Sequence, residues 1–298
     1  MSGRGIHIGI IGGTGVAAAL GGEKGESFFP DTPFGKPSAP IVRTNWQGVP
    51  VAIVQRHGVG HVFNPSQVPY RANIFALKML GVTHVVASGA TGSLRETIHP
   101  GELLIADQVI DKTHKRANTF YEKAAVHVEF AEPFCPVMRR WLLGAATRLW
   151  AANPSLNVHD GGTYVCMEGP AFSTKAESEM HRQWGGDVIG MTCMPEAKLA
   201  REAELAYALV ALPTDYDCWR PHDPATPPQA LLAEIIGNLN KATAQSVALI
   251  REALNDVALL QNTPSPAHEA LKLAIWSDKT KLDRAEVDRL SVLWNRYF

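Results

Sequence analysis

Apolar and polar positions along this chain follow two periods. Short apolar runs suited to buried strands occupy Ile6–Ile11, Val49–Gln55, Thr83–Ser88, Leu103–Val109, Thr163–Met167, Asp187–Thr192 and Ala208–Pro213. Between them, apolar residues recur at helical spacing over Ser66–Leu80, Pro136–Ala152, Ser173–Trp184, Pro195–Leu205 and Gln229–Asn255. Strand and helix patterns that alternate in this way predict an α/β fold, with a largely parallel sheet covered by helices. Asn262–Pro266 reads as a hinge before a charged C-terminal helical extension, and Pro221–Pro228 as a loop.

Length and composition narrow the class. A chain of 298 residues with 46% hydrophobic residues has a sizeable core available, and is read as one domain with its extension. Net charge is -1 with no long charge run, which gives no support for nucleic acid or an anionic membrane as partner. The short polar start, Met1 to Arg4, lacks a signal-peptide core, and no apolar run reaches membrane-spanning length. Cys135, Cys166, Cys193 and Cys218 show neither CxxC nor zinc-finger spacing. They read as reduced, packed thiols of a cytoplasmic protein rather than a metal site or a catalytic nucleophile.

Strand after strand ends in a polar or glycine-rich segment, and ligands of open α/β sheets bind beyond the carboxyl ends of the strands. Gly12-Gly13-Thr14-Gly15 follows the first strand. Its free N–H groups suit an anion, although an ordinary tight turn reads the same. The spacing is not GxGxxG, and Asp31, the acid at the distance a dinucleotide fold requires, follows Pro30 in a loop. Arg56-His57-Gly58 closes the second strand; a guanidinium able to take two phosphate oxygens beside an imidazole donor suits a small dianion. Thr192 could add a hydroxyl to the same anion. Asp215 and Asp217, at i and i+2 in extended chain, would point the same way and meet one edge of a purine, unless one of them caps a helix. In Gly169-Pro170-Ala171-Phe172-Ser173, Phe172 could stack on a base or pack in the core, and Ser173 reads as the cap of the next helix, with Glu177 near the capping-box position.

Taken together and in order, the segments IGIIGGTG, DTPFGKPS, RHG, ANIFALK, GSLRE, PGELLIADQ, AEPFCP, EGPAFSTKAES, the MT of GMT, and TDYDCW resemble the methylthioadenosine phosphorylase branch of the trimeric purine nucleoside phosphorylases. The resemblance runs from Ile8 to Trp219 and weakly on to about Ser277. It implies a single α/β domain over 1–277 with a distorted mixed sheet, and leaves 278–298 as an extension without an assigned role. It further implies a homotrimer or dimer of trimers, no metal, no organic cofactor, and inorganic phosphate as co-substrate. By position, phosphate would be held by Thr14, Arg56, His57, Thr192 and a loop at Gly89-Ala90. Ribose would lie against His61 and Met191, and the purine would face Phe172, Ser173, Asp215 and Asp217. His127 would reach into a neighbour's 5' pocket, where Pro228 faces the 5' substituent. The chain departs from the family pattern at Gly89 (usually a hydroxyl residue), Ala171 (Arg), Pro69 (Asn) and Pro228 (a small aliphatic residue). The implied reaction is phosphorolysis of methylthioadenosine, with Asp215 protonating the leaving base. The alternatives are a purine nucleoside or methylthioinosine phosphorylase, a nucleoside-binding protein without turnover, and, more remotely, a dehydrogenase.

Overall fold

The computed structural model describes residues 5–13, 15–20, 25–221 and 225–298; the side chains of residues 17 and 18 are outside the description. The strands are β1 (Ile8–Gly12), β2 (Glu26–Phe28), β3 (Ile41–Trp46), β4 (Val49–Gln55), β5 (His84–Ser93), β6 (Leu103–Ile105), β7 (Gln108–Asp111), β8 (Val158–Asp160), β9 (Thr163–Cys166), β10 (Val188–Gly190) and β11 (Ala206–Asp215). The helices are α1 (Val16–Ala19), α2 (Tyr70–Met79), α3 (Pro136–Ala152), α4 (Lys175–Gln183), α5 (Cys193–Glu202), α6 (Pro228–Leu254), α7 (Ala258–Asn262), α8 (Arg284–Arg289) and α9 (Ser291–Trp294). No described helix is long and apolar enough to cross a membrane.

All strands join one mixed sheet in the order β2-β3-β4-β1-β5-β10-β9-β7, with β11 also on β5, β6 on β11 and β8 on β6. The strands β4, β1, β5 and β11 run parallel to one another, whereas β3 meets β4, β6 meets β11 and β10 meets β5 antiparallel. Period-two alternation sorts side chains to the two faces. Ile8 and Ile10 of β1 with Val51 and Ile53 of β4 pack beneath α3 and α6. Ile11, Ala52 and Val54 face the opposite cluster, built with α2 and α5.

Three expectations are corrected, and one unassigned segment finds its place. The run Leu103–Val109 is two strands: β6 pairs with β11 and β8, β7 with β9, and between them Asp107 accepts from the Gly162 amide. The helix expected from Ser66 begins at Tyr70, because Asn64 holds the Ser66 and Gln67 amides in a turn and Pro69 opens the helix. β5 does not end before Gly89 but continues through Gly89–Gly92, so the expected Gly89-Ala90 loop is strand. The C-terminal segment is folded against the body. Leu290 and Trp294 are buried in the same cluster as Phe75 and Leu205, and the Trp294 ring stacks on Tyr121 at 4.8 Å.

Candidate active site

The site begins as a gap in the sheet. β1 pairs with β5 only as far as Ala87, and β10 joins the same edge at Gly92 and Ser93. Ser88–Thr91 lie between these two pairings. Gly13 just past β1, Arg56 just past β4 and Thr192 just past β10 converge on that gap. A Cβ added to Gly13 would stand 3.4 Å from Ser88 O and 3.5 Å from Arg56 Nη1. One on Gly89 would stand 3.2 Å from Thr192 Oγ1 and 3.7 Å from Arg56 Nη1. A guanidinium nitrogen, a hydroxyl and bare backbone therefore face one small space, a combination suited to an anion. Thr14 lies outside the described residues. Ala90 is on the exposed side of the strand.

Arg56 has no solvent contact. Its Nε and Nη2 bind Glu196 at 2.8 and 2.9 Å, and Nη1 binds Ser88 O at 2.8 Å. Tyr207 Oη donates to the same carboxylate at 2.8 Å. Burial opposes the charge on Arg56, but the adjacent Glu196 carboxylate holds the guanidinium above its ordinary value. The Nε/Nη2 fork is spent on Glu196, and of five N–H groups one on Nη1 and one on Nη2 remain for the expected contact with phosphate.

For His57 it is the expected donor role that changes. Its Nδ1 lies 2.8 Å from Phe63 O, a pure acceptor, so Nδ1 carries the proton and Nε2 is left as an acceptor. Burial first, then the Arg56 charge, pull its pKa down to about 4. His57 is thus neutral near pH 7 and suits a protonated phosphate oxygen rather than a bare one. His61, at φ 58°, stacks its ring on His57 at 4.2 Å.

Three residues further along β5, roughly 10 Å at about 3.3 Å per residue, lie the carboxylates. Gly92 pairs with Asp215, and a Cβ there would stand 3.2 Å from Asp215 Oδ1 and 3.1 Å from Asp217 Cβ. The two acids are neighbours, but not through an extended i, i+2 arrangement. β11 is irregular between Pro213 and Asp215, and Asp217 turns back at φ 51°, so that its amide donates to Asp215 Oδ1 at 2.7 Å. Thr214 Oγ1 donates to Asp215 Oδ2 at 2.7 Å, and the Ser178 hydroxyl donates to Asp217 Oδ2. Burial raises the Asp217 pKa against the pull of the Ser178 hydroxyl and the Cys218 amide. Neither acid caps α6, whose N-cap is Pro227.

Met191 joins the two ends of the site. It precedes Thr192, and its Sδ would lie 2.5 Å from a Cβ at Gly169, so only glycine lets the 169–173 segment approach. Arg116 clamps this junction, with Nη1 at 2.6 Å from both Met191 O and Met194 O, and Nη2 at 2.5 Å from Glu168 O. Burial disfavours the Glu168 anion. Ser66, the His114 and Lys115 amides, and Arg116 nevertheless hold its carboxyl at about 2. Phe172 is 84% exposed at the mouth, which excludes core packing. Ser173 is half-buried and is not the cap. Thr174 caps α4 and closes the capping box with Glu177, because Glu177 stands three residues beyond Thr174 and four beyond Ser173.

His127, expected in a neighbour's pocket rather than in this one, and Pro228 have other surroundings. The His127 amide binds Ala274 O at 2.9 Å, and its ring meets Trp276 at 4.8 Å. Pro228 is exposed in the first turn of α6. All four cysteines are free, and burial pushes the Cys166 thiol up to about 12, away from nucleophilic use. Among the described residues no group of three or more His, Cys, Asp or Glu is placed to hold a metal ion. Arg116, Glu196 and Tyr207 escaped the sequence reading. Only an acid inside an apolar helix stretch hinted at Glu196, and nothing local tied it to Arg56, 140 residues away.

Residues 7–255 match the phosphorylase superfamily. The chain belongs to that superfamily, in the branch of the methylthioadenosine phosphorylases. The S-methyl-5'-thioadenosine phosphorylase of Synechocystis sp. is 44% identical over 98% of this chain and 87% of its own length. That of Geobacter sulfurreducens is 43% identical over 97% of this chain and 98% of its own. Matches this long take in at least part of the segment after Asp278. A methylthioadenosine phosphorylase from an antarctic soil metagenomic library superposes with a TM-score of 0.87, at 43% identity over 97% of this chain and 99% of that one. An adenosine/methylthioadenosine phosphorylase mutant from Schistosoma mansoni, solved with methylthioadenosine, gives 0.77 at 34% identity over 97% and 98%.

Proposed function

We propose that this protein phosphorolyses S-methyl-5'-thioadenosine to adenine and 5-methylthioribose 1-phosphate. One observation carries the reading: the space shared by Gly13, Arg56, Gly89 and Thr192 lies on the same strand as the carboxylate pair, three residues from it. Phosphate in the gap donates an oxygen to C1' as the C1'–N9 bond breaks, and the bonding electrons leave with the purine. The positive charge that develops on the sugar lies beside the phosphate anion. Arg56 Nη1 and the Thr192 hydroxyl donate to phosphate oxygens, and His57 Nε2 accepts the proton of hydrogen phosphate. Holding the nucleophile in line in this way supplies much of the rate gain. Met191 and His61 border the ribose, and Phe172 covers the base.

Asp215 and Asp217 read the base edge and protonate N7 as it leaves. The sequence reading gave the proton to Asp215. In this reading Asp215 delivers that proton, and Asp217, whose Oδ2 accepts from Ser178, offers its other oxygen to the 6-amino group. The active unit in this reading is a homotrimer in which His127 borders a neighbour's 5' pocket. Incubation with methylthioadenosine, with and without phosphate, tests the reading: base released only when phosphate is added supports it, and base released equally without phosphate refutes it.

A further inference from the structure

A guanidinium shut away from water, with its Nη1 already bound to one carbonyl, can aim its last Nη1–H only if its plane is fixed. Ser88 O fixes one point and leaves rotation about it. Glu196 removes that freedom, because its two oxygens take Nε and Nη2 in parallel at 2.8 and 2.9 Å. Tyr207, fully buried on β11, donates to Glu196 Oε1 at 2.8 Å and so anchors the carboxylate in turn. Three elements meet here: the end of β4, the first turns of α5, and β11. Glu196 also balances the charge of Arg56, so the gap is not lined by an unpaired buried cation when no anion is bound. Thr192, the N-cap of α5, stands four residues before Glu196. The two donors that face the gap, the Thr192 hydroxyl and Arg56 Nη1, are therefore referred to one helix.

We propose that Glu196, supported by Tyr207, is the positioning residue that aims Arg56 at phosphate without touching substrate. The inference rests on reading the gap as the phosphate site. Glu196→Asp is the direct test: it keeps the charge and withdraws the carboxylate by one methylene, about 1.5 Å, so the parallel pair can no longer close. Phosphate titrated at saturating methylthioadenosine should show a KM raised at least tenfold, while the KM for methylthioadenosine at saturating phosphate stays within twofold. Tyr207→Phe, which leaves the ion pair in place, should raise the phosphate KM about threefold with the same selectivity. A folded Glu196→Asp protein with an unchanged or lowered phosphate KM, or with both KM values raised alike, overturns the proposal. If Glu196→Asp does not fold, Tyr207→Phe decides alone, and a phosphate KM equal to wild type overturns it. A wild-type protein that shows no phosphate dependence refutes the function itself and this inference with it. Intact wild-type dependence with insensitive variants refutes only the positioning role.

Discussion

Asp217→Asn is the substitution whose outcome the geometry constrains most closely. It is nearly isosteric, and asparagine is at ease at the φ of 51° that this position adopts. The Ser178 hydroxyl donates to Asp217 Oδ2. In the variant that hydroxyl can donate to the amide oxygen in the same place, which turns the new NH2 to the position of the other carboxylate oxygen; the amide can also flip, since the hydroxyl accepts as well as donates. An acceptor toward the base becomes a donor. A 6-aminopurine needs the acceptor and a 6-oxopurine needs the donor. The carboxylate is half-buried and its ionisation is already opposed by burial, so water repairs a mismatch poorly. A buried unpaired polar group costs about 1–3 kcal/mol, and about 1.4 kcal/mol is one decade. Wild type should therefore prefer methylthioadenosine to methylthioinosine by at least about tenfold in kcat/KM. Asp217→Asn should narrow or invert that ratio, chiefly by gaining the 6-oxo substrate. The assay is initial-rate phosphorolysis of both nucleosides by both proteins at saturating phosphate. An unchanged ratio in a folded variant would show that Asp217 does not read the base edge.

Three other outcomes follow from the same structure. Trp294→Ala empties a fully buried site and should cost about 3–5 kcal/mol in urea unfolding; a loss under about 1 kcal/mol would contradict the docking of the C-terminal segment on Tyr121. Stability should fall as pH drops from 6.5 toward 4.5. The unfolded chain there takes up two protons at His57 and His84, whose folded pKa values are about 4 and about 3, while the folded state alone holds one at Glu202, raised to about 7. The net single proton from these three groups, to which the lowered His7 and His181 add with the same sign, gives a slope on the order of 1.4 kcal/mol per pH unit or more, and a flat profile between pH 6.5 and 4.5 would contradict these assignments. Mixing inactive Asp215→Ala and His127→Ala proteins should restore activity through hybrid interfaces, and a fully active monomer in sedimentation would remove His127 from the pocket.

Much of the frame was legible because the strand signals are local. β4 and α3 lie where the apolar periodicity put them, and β1 is displaced only slightly. Arg56 and Asp215 stand at strand ends as read, whereas Thr192 lies two residues past β10 as the N-cap of α5. Glycine misled the reading at Gly89–Gly92, where turn chemistry was expected. These glycines instead keep a continuing strand bare, so that Thr192, Arg56 and the two acids can approach it. Ser173 and Thr174 are equivalent as cap residues by type, and only the three-residue spacing to Glu177 separates them. The pairing of Arg56 with Glu196 carries no local mark, because the sheet, and not the sequence neighbourhood, brings them together. The neutral state of His57 depends on Phe63 O and on burial, neither of which a linear pattern contains.

The most direct test of the account is the release of adenine from methylthioadenosine by the purified protein as phosphate is varied from none to saturation. Adenine release should rise hyperbolically with phosphate from a negligible baseline, with 5-methylthioribose 1-phosphate formed in equal amount. Adenine formed at the same rate without phosphate, with free methylthioribose as the second product, would contradict it.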